Sequence, residues 1–414
     1  VHSGQHNGRV RIRYDDGSTY HVLPSALHPP DHERAALSVE RARPLEWATK
    51  QQPFDEYRIA EKLDRRRLRK VVDDLSTDAC ERSACLAKLE RKASPQLVEH
   101  VKILKRCKVL QLAAEALHDM TLELAEDVDG HVVHEVSYEH KDPSYRGRLF
   151  ATGVAISETG DVYPRTATLQ SMPKDLRNPL VGGFAHDIDC DNSEYRLLCS
   201  IASQLGLEHL VPTVLDYRDN RETYLDMIRR QHRVSTDDAK RLPNIIVSSG
   251  IYQTWLRKCN RTTEGTDPVR KFAHNLTMEI RALRHELLKH PRFGWTAIDR
   301  EALRSKGKAE GTIEALLLPR IIQSCENEVL GIVHRSLHGS GWTTRAKIFD
   351  GLIVDLAPGG GMPLQQALAA AQCACQQRDW SIVLREKPLH GMQDNPLATV
   401  TAAREVVRKY TSAS

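Results

Sequence analysis

The stretch His186-Asp187-Ile188-Asp189-Cys190-Asp191-Asn192-Ser193-Glu194-Tyr195-Arg196-Leu197-Leu198 begins like a β-strand and ends like an amphipathic helix. Side chains alternate along a strand, so Asp187 and Asp189 share one face. Two carboxylates on one face repel unless something positive lies between them. Paired Mg²⁺ ions, which prefer hard carboxylate oxygens, are one candidate. The alternative is an exposed acidic strand end whose Asp191 or Asn192 caps the following helix. The choice depends on whether the rest of the chain supplies the other parts of a two-metal site.

With 414 residues, the chain has room for two or three domains or one large divided domain. Hydrophobic residues make up 40% and charged residues 28%, which excludes a disordered chain. A net charge of +4 is too small to name a partner, so the distribution of charge matters more. No apolar run approaches the length of a membrane span and no signal peptide opens the chain. The expectation is an intracellular protein, nuclear or cytoplasmic, neither secreted nor membrane-bound. Nine scattered cysteines agree with a reducing compartment.

Toward the N-terminus, Val10, Ile12 and Tyr14 alternate with arginines, Asp16-Gly17 makes a turn, and Tyr20 and Val22 start a return strand. Residues 1–30 therefore predict a hairpin, a candidate contact for a chromatin or protein partner. Prolines and charges to about Pro53 suggest a linker. Phe54 to Leu75 has a helical pattern and carries Arg65, Arg66, Arg67, Arg69 and Lys70, either a solvated face or a grip on nucleic-acid phosphates. A second long helix follows Ser94-Pro95 to about Glu126, so residues 31–130 are expected to be all helical.

Around and beyond the opening stretch the texture changes. His131 to Val136 and Tyr145 to Ala151 read as strands, and Arg221 to Arg230 as helix. Ser235-Thr236-Asp237-Asp238 caps a helix carrying Lys240, with Tyr252 and Trp255 beyond it. A basic helix runs from Pro268 to about Leu288. A long helix over 312–338 carries a polar stripe of Arg320, Gln323, Asn327 and Glu328. Ala346 to Asp355 reads as strand, turn at Asp350-Gly351, strand. The glycine-rich loop from Pro358 to Met362 lacks the lysine and hydroxyl of a phosphate loop and reads as a connector. A helix over 364–377, a strand over 380–385 and a helical tail complete the chain.

Three parts thus stand in order: Asp189 at a strand end, Lys240 on a capped helix and Asp350 at a hairpin turn. Phosphoryl transfer to a primer needs carboxylates for two metal ions and a cation on the triphosphate, which Lys240 could supply as a point charge.

These residues resemble the polymerase module of family A DNA polymerases, especially the divergent branch carried by viruses and mobile elements. The family's first palm motif is Asp-Tyr-Ser-Gln-Ile-Glu-Leu-Arg, and Asp189, Glu194 and Arg196 fall at that spacing. Its upstream Leu-Gln-Asn-Ile-Pro and following Ile-Arg are similar to Leu169-Gln170-Ser171-Met172-Pro173 and Leu176-Arg177. Arg148 resembles the arginine that precedes this motif. The resemblance covers roughly residues 140–390. It implies that Asp189 and Asp350 hold two Mg²⁺ ions and that Lys240 binds the incoming triphosphate. It implies too that Glu194 excludes a 2′-hydroxyl, where related single-subunit RNA polymerases carry a small residue. Arg148, Gln170, Arg177, Arg196 and Tyr252 would contact substrate, and Gln323 and Asn327 the template and primer. The chain departs from the family at Phe349-Asp350-Gly351, where the family has His-Asp-Glu. It departs again at Thr236, where the family has an arginine, and at Ser249-Gly250, where it has Tyr-Gly. No proofreading exonuclease domain is legible.

The expected fold is α+β, a right-hand polymerase with an antiparallel palm sheet, helical fingers and thumb-like helices. A Tudor- or SH3-like hairpin would span 1–30, thumb-like helices 31–130, palm 131–235 and 311–414, and fingers 236–310. Primer-template DNA and dNTPs would be its partners. The alternatives are a non-catalytic nucleic-acid-binding protein of the same fold, or a metal-dependent nuclease, which needs paired acids but has no use for Lys240 or Glu194.

Overall fold

A computed structural model describes residues 2–6, 9–13, 19–22, 58–91, 97–140 without 123, 125 and 128, 148–151, 155–156, 162–163, 168–262, 268–389 without 358, and 398–411. Contacts divide the chain into two units, residues 1–52 and 53–414. The first contains a three-stranded antiparallel meander of β1 (His2–His6), β2 (Arg9–Arg13) and β3 (Thr19–Val22). The sequence shows only β2 and β3, because β1 (His-Ser-Gly-Gln-His) has no apolar alternation. The expected Asp16-Gly17 turn, the linker to Pro53 and the Ser94-Pro95 helix start lie outside the described residues.

The second unit opens on β4 (Arg58–Asp64), which corrects the expected helix from Phe54 and the all-helical region over 31–130. Buried Ile59, Glu61 and Leu63 alternate along it, a period-two signal hidden in a window that also fits a helix. A distant partner decides between them: β4 pairs along its whole length with β5 (His131–His140), from Arg58↔Ser137 to Asp64↔His131. β5 in turn pairs with β6 (Leu149–Ala151). The helix starts only at α1 (Arg65–Ser76), where the Asp64 side chain accepts from the Arg67 amide. Helices α2 (Ala79–Glu90) and α3 (Val98–Thr121) pack with α1 around Leu68, Leu75, Cys107, Leu110 and Leu117.

After the two-residue strands β7 (Ala155–Ile156) and β8 (Val162–Tyr163) come α4 (Lys174–Val181), β9 (Ala185–Cys190) and α5 (Ser193–Gln204). A helical insertion follows: α6 (Pro212–Asp219), α7 (Arg221–His232), α8 (Thr236–Val247), α9 (Tyr252–Lys258), α10 (Pro268–Leu287) and α11 (Thr296–Ser305). The long α12 (Glu310–Gly339) returns the chain to the sheet, where β10 (Trp342–Ile348) and β11 (Gly351–Leu356) form a hairpin. α13 (Leu364–Gln376), β12 (Leu384–Lys387) and α14 (Ala398–Thr411) finish the unit. The last strand lies a few residues beyond the expected 380–385. Trp380 is instead a buried anchor whose indole N–H donates to Glu328 at 3.2 Å.

Four antiparallel strands in the order β10-β11-β9-β12 place β9 in the interior of the sheet. Leu352 and Val354 face one hydrophobic core and Ile353 the other, so β11 is buried on both sides. That is why it reads as an unbroken apolar run rather than as an alternation. Among the described residues, no helix is long and apolar enough to cross a membrane.

Candidate active site

The interior strand β9 carries Asp189 to the edge of the β10–β11 turn. Gly351 pairs with Asp189 across the ladder, and the Cys190 amide donates to the Asp350 carbonyl at 3.3 Å. Asp189, near the end of β9, and Asp350, in the turn before β11, therefore sit at one end of the sheet. Asp350 is tied to the start of α5 by Ser193, whose hydroxyl donates to Asp350 Oδ2 at 2.8 Å. Before it, Phe349 has φ +53° at the first of two loop positions, where this kind of hairpin favours glycine. Asn192, with φ +52°, makes the turn from β9 into α5 without a side-chain cap.

Burial and the neighbouring Asp350 charge push the Asp189 carboxyl up to about 6, while Lys387, 2.6 Å from its Oδ2, holds it down. Asp187 is also raised by burial, against the opposing charges of Arg177 and Lys387. Asp189 and Asp350 thus offer hard oxygen donors whose mutual repulsion a cation would relieve, a donor set that suits Mg²⁺. Among the described residues, one group of three ligand-type side chains has its atoms within 4.8 Å of one another: Asp127, Asp129 and His131, away from this pair. There Asp127 Oδ1 already accepts the Asp129 and His131 amides at 3.0 and 2.8 Å and closes its own turn.

Glu194, in the first turn of α5, is pushed up to about 7 by burial and by the charges of Glu326 and Asp350, with Arg148 opposing. Arg148 donates to Glu326 Oε2 at 3.2 Å and lies 4.7 Å from the centroid of the Phe349 ring. Its backbone N–H donates to Gln323 Oε1 at 3.2 Å. Asn327 accepts from the Lys347 ammonium. Asp189, Asp350, Glu194, Arg148, Gln323 and Asn327 are thus brought into one neighbourhood.

Gln170 and Arg177 are placed differently, at 6% and 7% exposure. The Gln170 amide accepts from Ala151 N at 2.8 Å and donates to Leu149 O at 3.1 Å, which fixes the strand that follows Arg148. Arg177 donates to the Leu169 and Met172 carbonyls. Arg196 is half-buried and donates to Asp191 O at 3.0 Å. Tyr252 is buried, stacked on Trp255 at 13°, with its hydroxyl 2.8 Å from His232 Nε2. Lys240 is half-buried on α8 and, among the described residues, enters no ion pair. Its helix is joined to α5 by Tyr195, whose hydroxyl donates to Pro243 O at 3.0 Å.

The basic run on α1 divides. Arg65 is 7% exposed and bonds Glu126 and the Leu124 carbonyl; Arg67 pairs with Asp64 and donates to the Pro179 carbonyl. Arg66, Arg69 and Lys70 are exposed, and Arg69 reaches Glu126 at 3.4 Å.

Four neighbours of the aspartates escape sequence reasoning: Ser193, Glu326, Lys347 and Lys387. Glu326 lies next to the polar stripe of α12 and Lys347 two residues from Arg345 in β10, so neither stands out from its neighbours in the sequence. Ser193 and Lys387 leave no signal either, because only strand pairing and the α5 turn bring them there.

No protein-family model matches the sequence, and neither does any curated protein. Among solved structures, the fold is similar to the polymerase domain of Pol1 from M. smegmatis, solved in complex with DNA primer-template and dNTP. The TM-score is 0.50 at 10% identity, over 80% of this chain and 67% of that one. At that identity the likeness is one of fold, and the fold is that of a polymerase domain, helix-rich with an antiparallel sheet.

Proposed function

We propose that the chain is a template-directed DNA polymerase that adds deoxynucleotides to a primer 3′ end. The observation that carries this is the pairing of Gly351 with Asp189, which brings Asp350 and Asp189 to the same end of the sheet, where the Asp350 charge helps raise the Asp189 carboxyl. Asp189 and Asp350 would hold Mg²⁺, and ions there would supply Lewis acidity to the attacking 3′-oxygen and counter-charge to the leaving phosphates. The protein's own groups do the rest. Ser193 orients Asp350 by its hydrogen bond, and Gly351 lets the two strands approach closely. Lys240, on the helix that Tyr195 fastens to α5, pairs with the triphosphate. Glu194 occupies the first turn of α5, where it reads the sugar and rejects a 2′-hydroxyl. Arg148 meets a phosphate or base edge of the primer terminus or nucleotide. Gln170 and Arg177, bonded to backbone, hold the Arg148 strand and the 168–172 turn in register. Residues 131–235 and 311–414 act as palm and 236–310 as fingers, with the exposed Arg66, Arg69 and Lys70 meeting the duplex backbone.

Primer extension with Mg²⁺ and dNTPs tests this, comparing the intact protein with Asp189→Ala and Asp350→Ala. Extension by the intact protein and its loss in both variants is expected. Extension that survives both substitutions would overturn the site. Salt-dependent DNA binding without extension would favour a non-catalytic binding protein, and metal-dependent strand cleavage a nuclease.

A further inference from the structure

We propose that Glu326 is a positioning residue of this site: with Lys347 as its buried counter-charge, its carboxylate holds the Arg148 guanidinium against Phe349, beside Asp350, in the pose that receives substrate phosphate. The assignment rests on the polymerase function proposed above, and goes beyond it in naming what aims Arg148.

Glu326 and Lys347 are 3% and 1% exposed, one on α12 and the other in β10. Nothing in the packing of those elements calls for charge, since a buried ion pair can be replaced by apolar residues at little or no loss of stability. Retaining it demands another reason. Arg148 is fixed at three points, its guanidinium to Glu326 at 3.2 Å, its π-face to the Phe349 ring at 4.7 Å, and its amide to Gln323. All three lead to α12 or to the turn that carries Asp350. The Oε1 of Glu326 is buried and accepts no hydrogen bond among the described residues, so the acid is not serving local backbone. Glu326 bonds Arg148, the neighbouring Asn327 accepts from the Lys347 ammonium, and the charges of Glu194, Glu326 and Asp350 are felt together at this place. Burial raises the Glu326 carboxyl, and the charges of Arg148 and Lys347 oppose that rise. Glu326 keeps Arg148 from settling on Glu194, the other carboxylate whose charge it opposes.

A double-substitution cycle tests the assignment. Glu326→Leu and Lys347→Met should each lower the melting temperature by leaving one buried charge without its partner, and the double variant should recover it. Primer extension should fall about tenfold in Glu326→Leu and stay down in the recovered double variant, because Arg148 is no longer aimed. Adding Arg148→Ala to the double variant should then cost little, although it costs about the same tenfold in the intact protein. Wild-type extension by the recovered double variant would show the pair to be structural only and overturn the proposal. So would an Arg148→Ala loss that is undiminished in it. If the double variant does not fold, Glu326→Gln, which keeps shape and removes charge, decides by the same tenfold loss or by its absence. Should the intact protein bind primer-template without extending it, the polymerase function fails, and the same cycle is read from DNA affinity by fluorescence anisotropy. An Arg148 contribution to affinity that persists in Glu326→Gln, or no DNA binding at all, then overturns the assignment.

Discussion

Gly351 faces Asp189 across the β9–β11 ladder, and a Cβ on Gly351 would run into the carbonyl oxygen of Ile188. The residue after Asp350 is thus a place where a side chain and close strand approach exclude each other. Gly351→Ala should destabilise the protein by about 1–3 kcal/mol, the usual cost of overpacking, and reduce extension. Gly351→Glu would add an acid after Asp350, yet it should be less stable still and gain no activity. Thermal melts with extension assays check this, and a Gly351→Glu protein that melts no lower than wild type would contradict it.

Asp189 carries the clearest pH signature. Burial and Asp350 raise its carboxyl to about 6, so the folded state holds this proton more tightly than the unfolded chain. Its contribution to stability is therefore fully present below the ordinary carboxylate range and lost as pH rises through about 6. In chelated buffer, Asp189→Asn should be more stable than wild type at pH 8, by on the order of 1–3 kcal/mol. The advantage should vanish near pH 3. Melting temperatures across that range test it; an Asn variant less stable at pH 8 would refute the sign.

Glu194 should control sugar choice. Glu194→Ala is expected to raise rNTP incorporation relative to dNTP by about ten- to a hundredfold, as removing a group built to reject a hydroxyl does. Single-nucleotide incorporation kinetics with both substrates measure the ratio. An unchanged ratio would remove Glu194 from the role.

The basic helix should behave as two sets. Arg65→Ala deletes a buried guanidinium bonded to Glu126 and the Leu124 carbonyl, and should lower stability by about 1–3 kcal/mol. Arg66→Ala with Lys70→Ala should leave stability nearly unchanged and weaken DNA binding. The slope of log affinity against log salt should shrink by about 0.9 for each phosphate left without its cation. Titrations at several salt concentrations distinguish the two sets.

Much of the framework was legible in the residues. The hairpin around Asp350, the capped helix from Ser235, the strand-to-helix change around Asp189 and the long helix ending near His338 all follow from local periodicity and turn chemistry, and all are present. The hairpin turns one residue earlier than expected, at Phe349-Asp350, with Gly351 already in the returning strand. β4 was not legible, because Arg58–Asp64 satisfies helical and strand periods alike and only its pairing with β5 settles the matter. Gln170, Arg177 and Tyr252 were legible as polar or aromatic residues in the right order. Their burial was not, since it depends on the backbone and ring partners they meet.

By itself the sequence determined which acids stand in order along the chain: alternation puts Asp187 and Asp189 on one strand face, and the resemblance to family A polymerases, not periodicity, implies Asp189, Glu194 and Asp350. Tertiary structure alone decided what surrounds them. Lys387 reaches Asp189 because β12 pairs with β9, Ser193 reaches Asp350 because α5 starts against the hairpin turn, and Glu326 meets Arg148 across 178 residues of chain. Charge at such a site depends on burial and on distant neighbours, and Coulomb interactions act through space rather than along the chain.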